Sequence, residues 1–388
     1  MMGEFDSSST IKYMIGPSMI KYQVLDDLFK NIRIHEHVVV FHVDAWSILY
    51  RMYRTKYLET IHSVPTEVLV KDLVVSFINV LGHYRKYFYK HLHKTNDILV
   101  YLNTKLPGYQ ESVFSDYMKT QYDLLSIRHK DYGAVSHIVQ KAFHFIKGLL
   151  PYFEGIYYIE NDNIDTFTAM NYFMQLSHYQ DQYHIIFSRN LLPTQLLNDH
   201  TIQLVNKRED SYILYSDDCI KNGFLRDRKT VVHKDFTSKM VPFILSMSGY
   251  SGINMKPIKS VRGVSDVIKL LTPLMKDHVI TSDMSIQSFL KEVSSNMRDG
   301  GAQLRIGNSM INRYRAVALD LATKALSNDQ KFKLTKHIVD LYDQSMLEMM
   351  NEKLSEIGNN PDLLEITSLN MSTVPEYDGL DDYPELYL

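Results

Sequence analysis

The chain has 388 residues, enough to bury a large core and to carry an appendage beside one large domain. Hydrophobic residues make up 45% and charged residues 22%, the balance of an ordinary globular protein, and no apolar run approaches the roughly 20 residues that cross a bilayer. The formal net charge of −3 excludes a protein that is basic throughout, so any face for phosphate must be local and offset elsewhere.

A single cysteine, Cys219, excludes an intrachain disulfide and a multi-cysteine metal site and predicts a reducing, cytoplasmic compartment. The opening MMGEFDSSST has neither the basic start nor the apolar stretch of a signal peptide. Val38 to Val43 is a continuous apolar run of strand length ending at Asp44, the pattern of a buried parallel strand. Pro65-Thr66-Glu67 opens a helical pattern to about Lys94, with Thr66 in the N-cap position. A second strand, Ile98 to Leu102, ends at Asn103, and a helix follows from about Ser136 to Leu150. Ile156 to Ile159 forms a third strand ending at Glu160, and a further helix runs from about Ile164 to Leu176. His184 to Phe187 is a fourth strand ending at Ser188. From about residue 241 the chain turns helical, and Ser282 to Leu347 reads as a bundle. Strands alternating with helices predict an α/β fold with a parallel sheet, whose carboxyl edge would gather Asp44, Asn103 and Glu160.

Five segments in order then carry a resemblance. VVVFHVDAWSILYR has a strand, an aspartate and a helix, with Asp44 at the turn. ILVYLNTK ends its strand in Asn103, and SDYMKTQY follows with Tyr117, Met118 and Gln121. IYYIENDN holds Glu160, Asp162 and Asn163, and HIIFSRNLLPTQLL holds Asn190 and Leu192. SGYSGINMKPIKSVRG holds Gly249, Tyr250, Ile253 and Asn254. In this order the segments resemble the phage and bacterial 5′ nuclease (flap endonuclease) family, over about residues 36–275.

The resemblance implies a PIN-like parallel sheet flanked by helices, with a C-terminal helical region. It implies an N-terminal extension over 1–35 and a nuclease-like domain over 36–275 that includes a degenerate helix-hairpin. A helical region over 276–357 and an acidic tail over 358–388 complete the expected organisation. The family holds two divalent ions in a carboxylate-rich pocket, where they clamp the attacking water and the leaving oxygen. Carried onto this chain, the first ion position keeps Asp44, Glu160 and Asp162, with Asn103 and Asn163 as neutral ligands. The second would have Asn190, Leu192, Tyr250 and Ile253, and a Leu or Ile side chain cannot coordinate a cation. Met118 and Gln121 also replace the cations expected at the scissile phosphate. The resemblance therefore implies a pseudonuclease that requires no cofactor. Its remaining acids are either a solvated acidic cluster, in which mutual repulsion raises at least one pKa, or a site for a single Mg²⁺.

Lys256, Lys259 and Arg262 fall where the family's hairpin grips duplex backbone, and phosphate contacts need only Lys, Arg and backbone N–H groups. The same charges, like Arg226, Arg228, Lys229, Lys234, Lys239, Arg298, Arg305, Arg313 and Arg315, also fit a scattered solvated surface, since Glu209, Asp210, Asp227 and Asp235 interleave with them. Tyr157-Tyr158 and Tyr50-Tyr53 fit either base stacking or core packing. After Lys353 there is no Lys or Arg, so the tail is either a mobile acidic segment or a docking peptide carrying Tyr377, Tyr383 and Tyr387. The expected partners are DNA or RNA through phosphates, and proteins, with no membrane. The phage-type resemblance implies a viral protein in the host cytoplasm. An assembly protein without a nucleic-acid role and an enzyme with relocated ligands are the rival readings.

Overall fold

The computed structural model describes residues 19–21, 39–46, 48–49, 52, 63–92, 97–102, 108–117, 132–153, 155–160, 164–176, 179–208, 211–215, 236–258, 261–296, 308–331 and 334. One sheet of seven strands organises them, in the order β1-β7-β6-β5-β2-β3-β4. The strands are β1 (Met19–Lys21), β2 (Val39–Asp44), β3 (Asp97–Leu102), β4 (Ile156–Glu160), β5 (Tyr183–Phe187), β6 (Thr201–Arg208) and β7 (Ser211–Tyr215). The five strands from β6 to β4 run parallel, while β7 pairs antiparallel with β6 and β1 antiparallel with β7. The sequence pattern exposes β2 to β5 because each is a continuous apolar run. It misses β6, where Gln203 and Asn206 interrupt Ile202, Leu204 and Val205. Residues 1–35, expected as an extension, contribute the edge strand β1.

Side chains alternate across β2, which is buried along its whole length. Phe41 and Val43 face one layer, formed by α1 (Thr66–Leu92) and α3 (Tyr132–Leu149) through Leu73, Phe77, Phe143 and Ile146. Trp46 stacks on Phe143 with ring centroids 5.7 Å apart. Helix α1 begins on Thr66 itself, because the Pro65 carbonyl accepts from Val68 and Leu69, so Thr66 is not its N-cap.

Val40, Leu99, Tyr101 and Ile186 face the opposite layer. That layer holds α4 (Thr166–Met174), part of α5 (Val241–Ser248) and the ends of α8 (Asn308–Val317) and α9 (Leu319–Lys324). A third core joins α5 to α6 (Val264–Lys276), α7 (Ile286–Asn296) and α8, with Phe243 stacked on Phe289 at 3.9 Å. The short helix α2 (Gly108–Val113) precedes Tyr117. No described helix is long and apolar enough to cross a membrane.

Two histidines lie inside the sheet on the α4 face. His42 Nδ1 hydrogen-bonds the Tyr101 hydroxyl at 2.8 Å, and His42 Nε2 hydrogen-bonds His184 Nδ1 at 3.0 Å. Burial lowers both histidine pKa values, that of His184 to about 4, and raises that of Tyr101. The three rings form an uncharged chain across β3, β2 and β5 that pairs both His42 nitrogens, the Tyr101 hydroxyl and His184 Nδ1, and leaves the buried His184 Nε2 without a hydrogen bond among the described residues.

Candidate functional site

Parallel pairing sets where the strand-end residues meet. Asp44 is level with Tyr101 on β3, and Leu102 is level with Glu160 on β4. Asp44 and Glu160 therefore end their strands at one edge, two strand spacings or roughly 10 Å apart along the sheet. Asn103, Asp162 and Asn163 lie outside the described residues, as does the side chain of Glu160.

Asp44 is nearly buried, and its Oδ2 accepts a hydrogen bond from Ser188 Oγ at 2.9 Å. The segment after β5 is shaped by its own side chains. Ser188 Oγ accepts from the Asn190 N–H at 3.1 Å, and Asn190 Oδ1 accepts from the Leu192 N–H at 2.9 Å, two successive local turns. Gln203, buried on β6, braces this segment by donating to the carbonyls of Ser188 and Asn190 at 2.7 and 2.8 Å. Leu192 is thereby driven inward. It is fully buried in the same apolar cluster as Ile253. The Tyr250 hydroxyl accepts from the Leu191 N–H at 3.1 Å.

Asp165 completes this edge, and the sequence reading missed it. It is the N-cap of α4, with Oδ2 accepting from the N–H groups of Phe167 at 3.0 Å and Thr168 at 3.3 Å, while Oδ1 accepts from the Tyr117 hydroxyl at 3.3 Å. Burial pushes its carboxyl up to about 7, the neighbouring Asp44 adds to the rise, and the three hydrogen bonds oppose it. Repulsion from Asp44 is the lesser contribution beside burial. An aspartate directly before Thr-Phe-Thr-Ala is a cap signal. Starting the helix at Ile164 obscures it.

The described residues that the resemblance assigns to the second ion position do not fit an ion there. At the second ion position Leu192 and Ile253 present only carbon to the core, and the Tyr250 oxygen already caps a backbone N–H. Both oxygens of Asp165 are engaged. Among the described residues no three His, Cys, Asp or Glu side chains are placed to share an ion.

Beyond the edge, Gly249 to Gly263 link α5 to α6. Tyr250 and Met255 pair in an antiparallel bridge, and Asn254 turns the chain with φ 62°. Asn254 Nδ2 donates to the Asp116 carbonyl at 3.3 Å, and the Ile258 N–H donates to the Met247 carbonyl at 3.0 Å. Gly249 has φ 70°, and a Cβ there would sit 2.4 Å from Lys256 C and Pro257 N. Only glycine fits. Lys256 and Arg262 are exposed on this link, and the Arg262 N–H donates to Asp266 Oδ2 at 3.0 Å. Lys259 lies outside the described residues, as do Arg226, Arg228, Lys229, Lys234, Arg298 and Arg305. Lys239 is paired with Asp283 at 2.8 Å, and Arg315 is exposed on α8. Tyr157 and Tyr158 pack on the second and first cores, with Lys147 Nζ 5.9 Å from the Tyr158 ring centre.

No protein-family model matches the chain, and no curated protein matches it in sequence. Solved structures match it in fold. The T5 D15 protein co-crystallised with metal ions superposes with a TM-score of 0.51 at 12% identity, covering 79% of this chain and 100% of that one. A bacteriophage T5 D15 flap endonuclease variant, in a pseudo-enzyme–product complex with DNA and metal ions, gives 0.52 at 13% identity, covering 78% and 98%. The T5 5′-exonuclease with bound zinc gives 0.50 at 12% identity, covering 79% and 99%. The likeness is one of fold: this chain has the helix-flanked parallel sheet of the T5 5′ nucleases.

Proposed function

We propose that this chain is a catalytically inactive 5′-nuclease-like protein that holds nucleic acid through phosphate contacts and recruits protein partners in a nucleic-acid-processing complex. The observation that carries the reading is the filling of the carboxyl edge. Where two-ion hydrolysis needs carboxylates, Leu192 and Ile253 belong to the apolar core and Tyr250 closes a backbone turn. Phosphate contacts make no such demand, and Lys256 and Arg262 stand exposed on the link between α5 and α6. That one neighbour in fold is in a complex with DNA supports nucleic acid as the ligand class.

The test has two arms. Labelled duplex and single-stranded oligonucleotides are titrated across salt with the wild type and with the triple reversal of Lys256, Lys259 and Arg262 to Glu. Binding is expected to be modest, insensitive to sequence and weakened by the reversal, with the salt slope falling by about one for each phosphate no longer neutralised. Unchanged binding favours the assembly protein without a nucleic-acid role. In the second arm, flapped, nicked and single-stranded substrates are incubated with Mg²⁺ or Mn²⁺. No turnover is expected, and cleavage abolished by Asp162→Ala would establish the enzyme instead.

A further inference from the structure

Charge alone would recruit Arg313 of α8 to a phosphate-binding face, yet its guanidinium is committed to the protein backbone. Nε donates to the Ser246 carbonyl at 2.8 Å, and Nη2 donates to the Lys256 carbonyl. Ser246 lies in the last turn of α5, where carbonyls lack intrahelical partners and the helix dipole favours a cation. The next carbonyl, that of Met247, is taken by the Ile258 N–H. Arg313 thus fastens both the helix end from which the link departs and the backbone of Lys256 itself. Its guanidinium is half-buried and remains charged. A lysine would have to reach both carbonyls from one nitrogen, whereas Arg313 meets them from two nitrogens held in one rigid plane.

We propose that Arg313 is a positioning residue, which sets the Lys256 backbone so that the exposed ammonium meets phosphate, and is not itself a phosphate ligand. This rests on the nucleic-acid reading of the α5–α6 link. It assigns two basic residues close in space to different tasks, one facing outward to the ligand and one inward to the loop.

The full chain carrying Arg313→Ala, Arg313→Lys, Lys256→Ala, or Arg313→Ala with Lys256→Ala is titrated against a short fluorescein-labelled DNA duplex. Amide exchange is followed at Met255 and Ile258. Arg313→Ala and Arg313→Lys should each weaken duplex binding about tenfold, the equivalent of one charge-assisted hydrogen bond. The double variant should bind no more weakly than Lys256→Ala alone, since Arg313 acts through Lys256. Exchange at Ile258 should quicken in both Arg313 variants and not in Lys256→Ala. Should Arg313→Ala unfold, Arg313→Lys carries the same comparison, alone and combined with Lys256→Ala. Wild-type binding by Arg313→Lys, or additive losses in the double variant, would overturn the proposal by making Arg313 an independent charge contact. If the wild type itself does not bind duplex, the nucleic-acid reading falls, whereas duplex binding by the wild type that Lys256→Ala leaves unchanged, or unchanged exchange at Ile258 in the Arg313 variants, would overturn the positioning role.

Discussion

Ser188 Oγ donates to Asp44 Oδ2 at 2.9 Å and ties the residue that ends the central strand β2 to the residue that follows β5. A carboxylate at the mouth of a parallel sheet is thus held by a neighbouring hydroxyl, which itself organises the turn leading to Leu192. The edge behaves as a structural joint, and its stability follows from the burial of its groups.

Ser188→Ala should destabilise the fold by about 1–3 kcal/mol, because it leaves a nearly buried carboxylate and the Asn190 N–H each one partner short. Denaturant unfolding of the two proteins measures this. A loss well under that range would mean that water replaces the hydroxyl.

Asp165 predicts an opposite sign of pH dependence from most carboxylates. Its folded pKa, about 7, lies above its unfolded value near 3.8, so its contribution is fully present below about pH 4 and is lost as pH rises through about 7. The whole swing is roughly 4 kcal/mol at most. Asp165→Asn keeps a cap and removes the titration. The stability of wild type relative to this variant should therefore fall between pH 4 and 8.

The His42–His184 pair works in the other direction. Both folded pKa values lie below the usual 6.5, so the pair contributes stability above that value and loses it as pH falls through about 4, the pKa of His184. The His184 share is roughly 3 kcal/mol. His184→Gln should be nearly as stable as the wild type at pH 4 and clearly less stable at pH 7, as read by thermal melting at each pH.

Gly249→Ala should lower stability by about 1–3 kcal/mol, since its φ of 70° and main-chain atoms at 2.4 Å leave no room for a methyl group. The strain falls on the link that carries Lys256, so duplex affinity should drop with it. Equal stability of the two proteins would show that the link re-forms elsewhere.

Leu192→Asp should not recreate a metal ligand. An isolated carboxylate at a fully buried position costs several kcal/mol, so the variant should melt far below the wild type and show no stabilisation by Mn²⁺. A well-folded variant whose melting point rises with Mn²⁺ would show that the pocket needs only its ligands back.

The strands β2 to β5, their parallel arrangement and the gathering of Asp44 and Glu160 at one edge were legible in the sequence. Continuous apolar runs report burial on both faces, and strand ends follow from where those runs stop. The inability of Leu192 and Ile253 to bind a cation was legible too, because it is a property of side-chain chemistry. The strand β6 was not, since Gln203 reads as a surface residue until the Ser188 and Asn190 carbonyls are placed beside it. Asp165 falls inside the helix read from Ile164, which hides its place as the cap. Only tertiary structure buries it beside Asp44 and under Tyr117, and burial is what moves its pKa. Arg313 counts as one more positive charge in the sequence, although its partners are backbone carbonyls from residues 57 and 67 positions away. Pattern and composition thus determined the sheet and where its strands end. Long-range packing decided which polar groups are sequestered from water, because desolvation depends on neighbours that are distant along the chain.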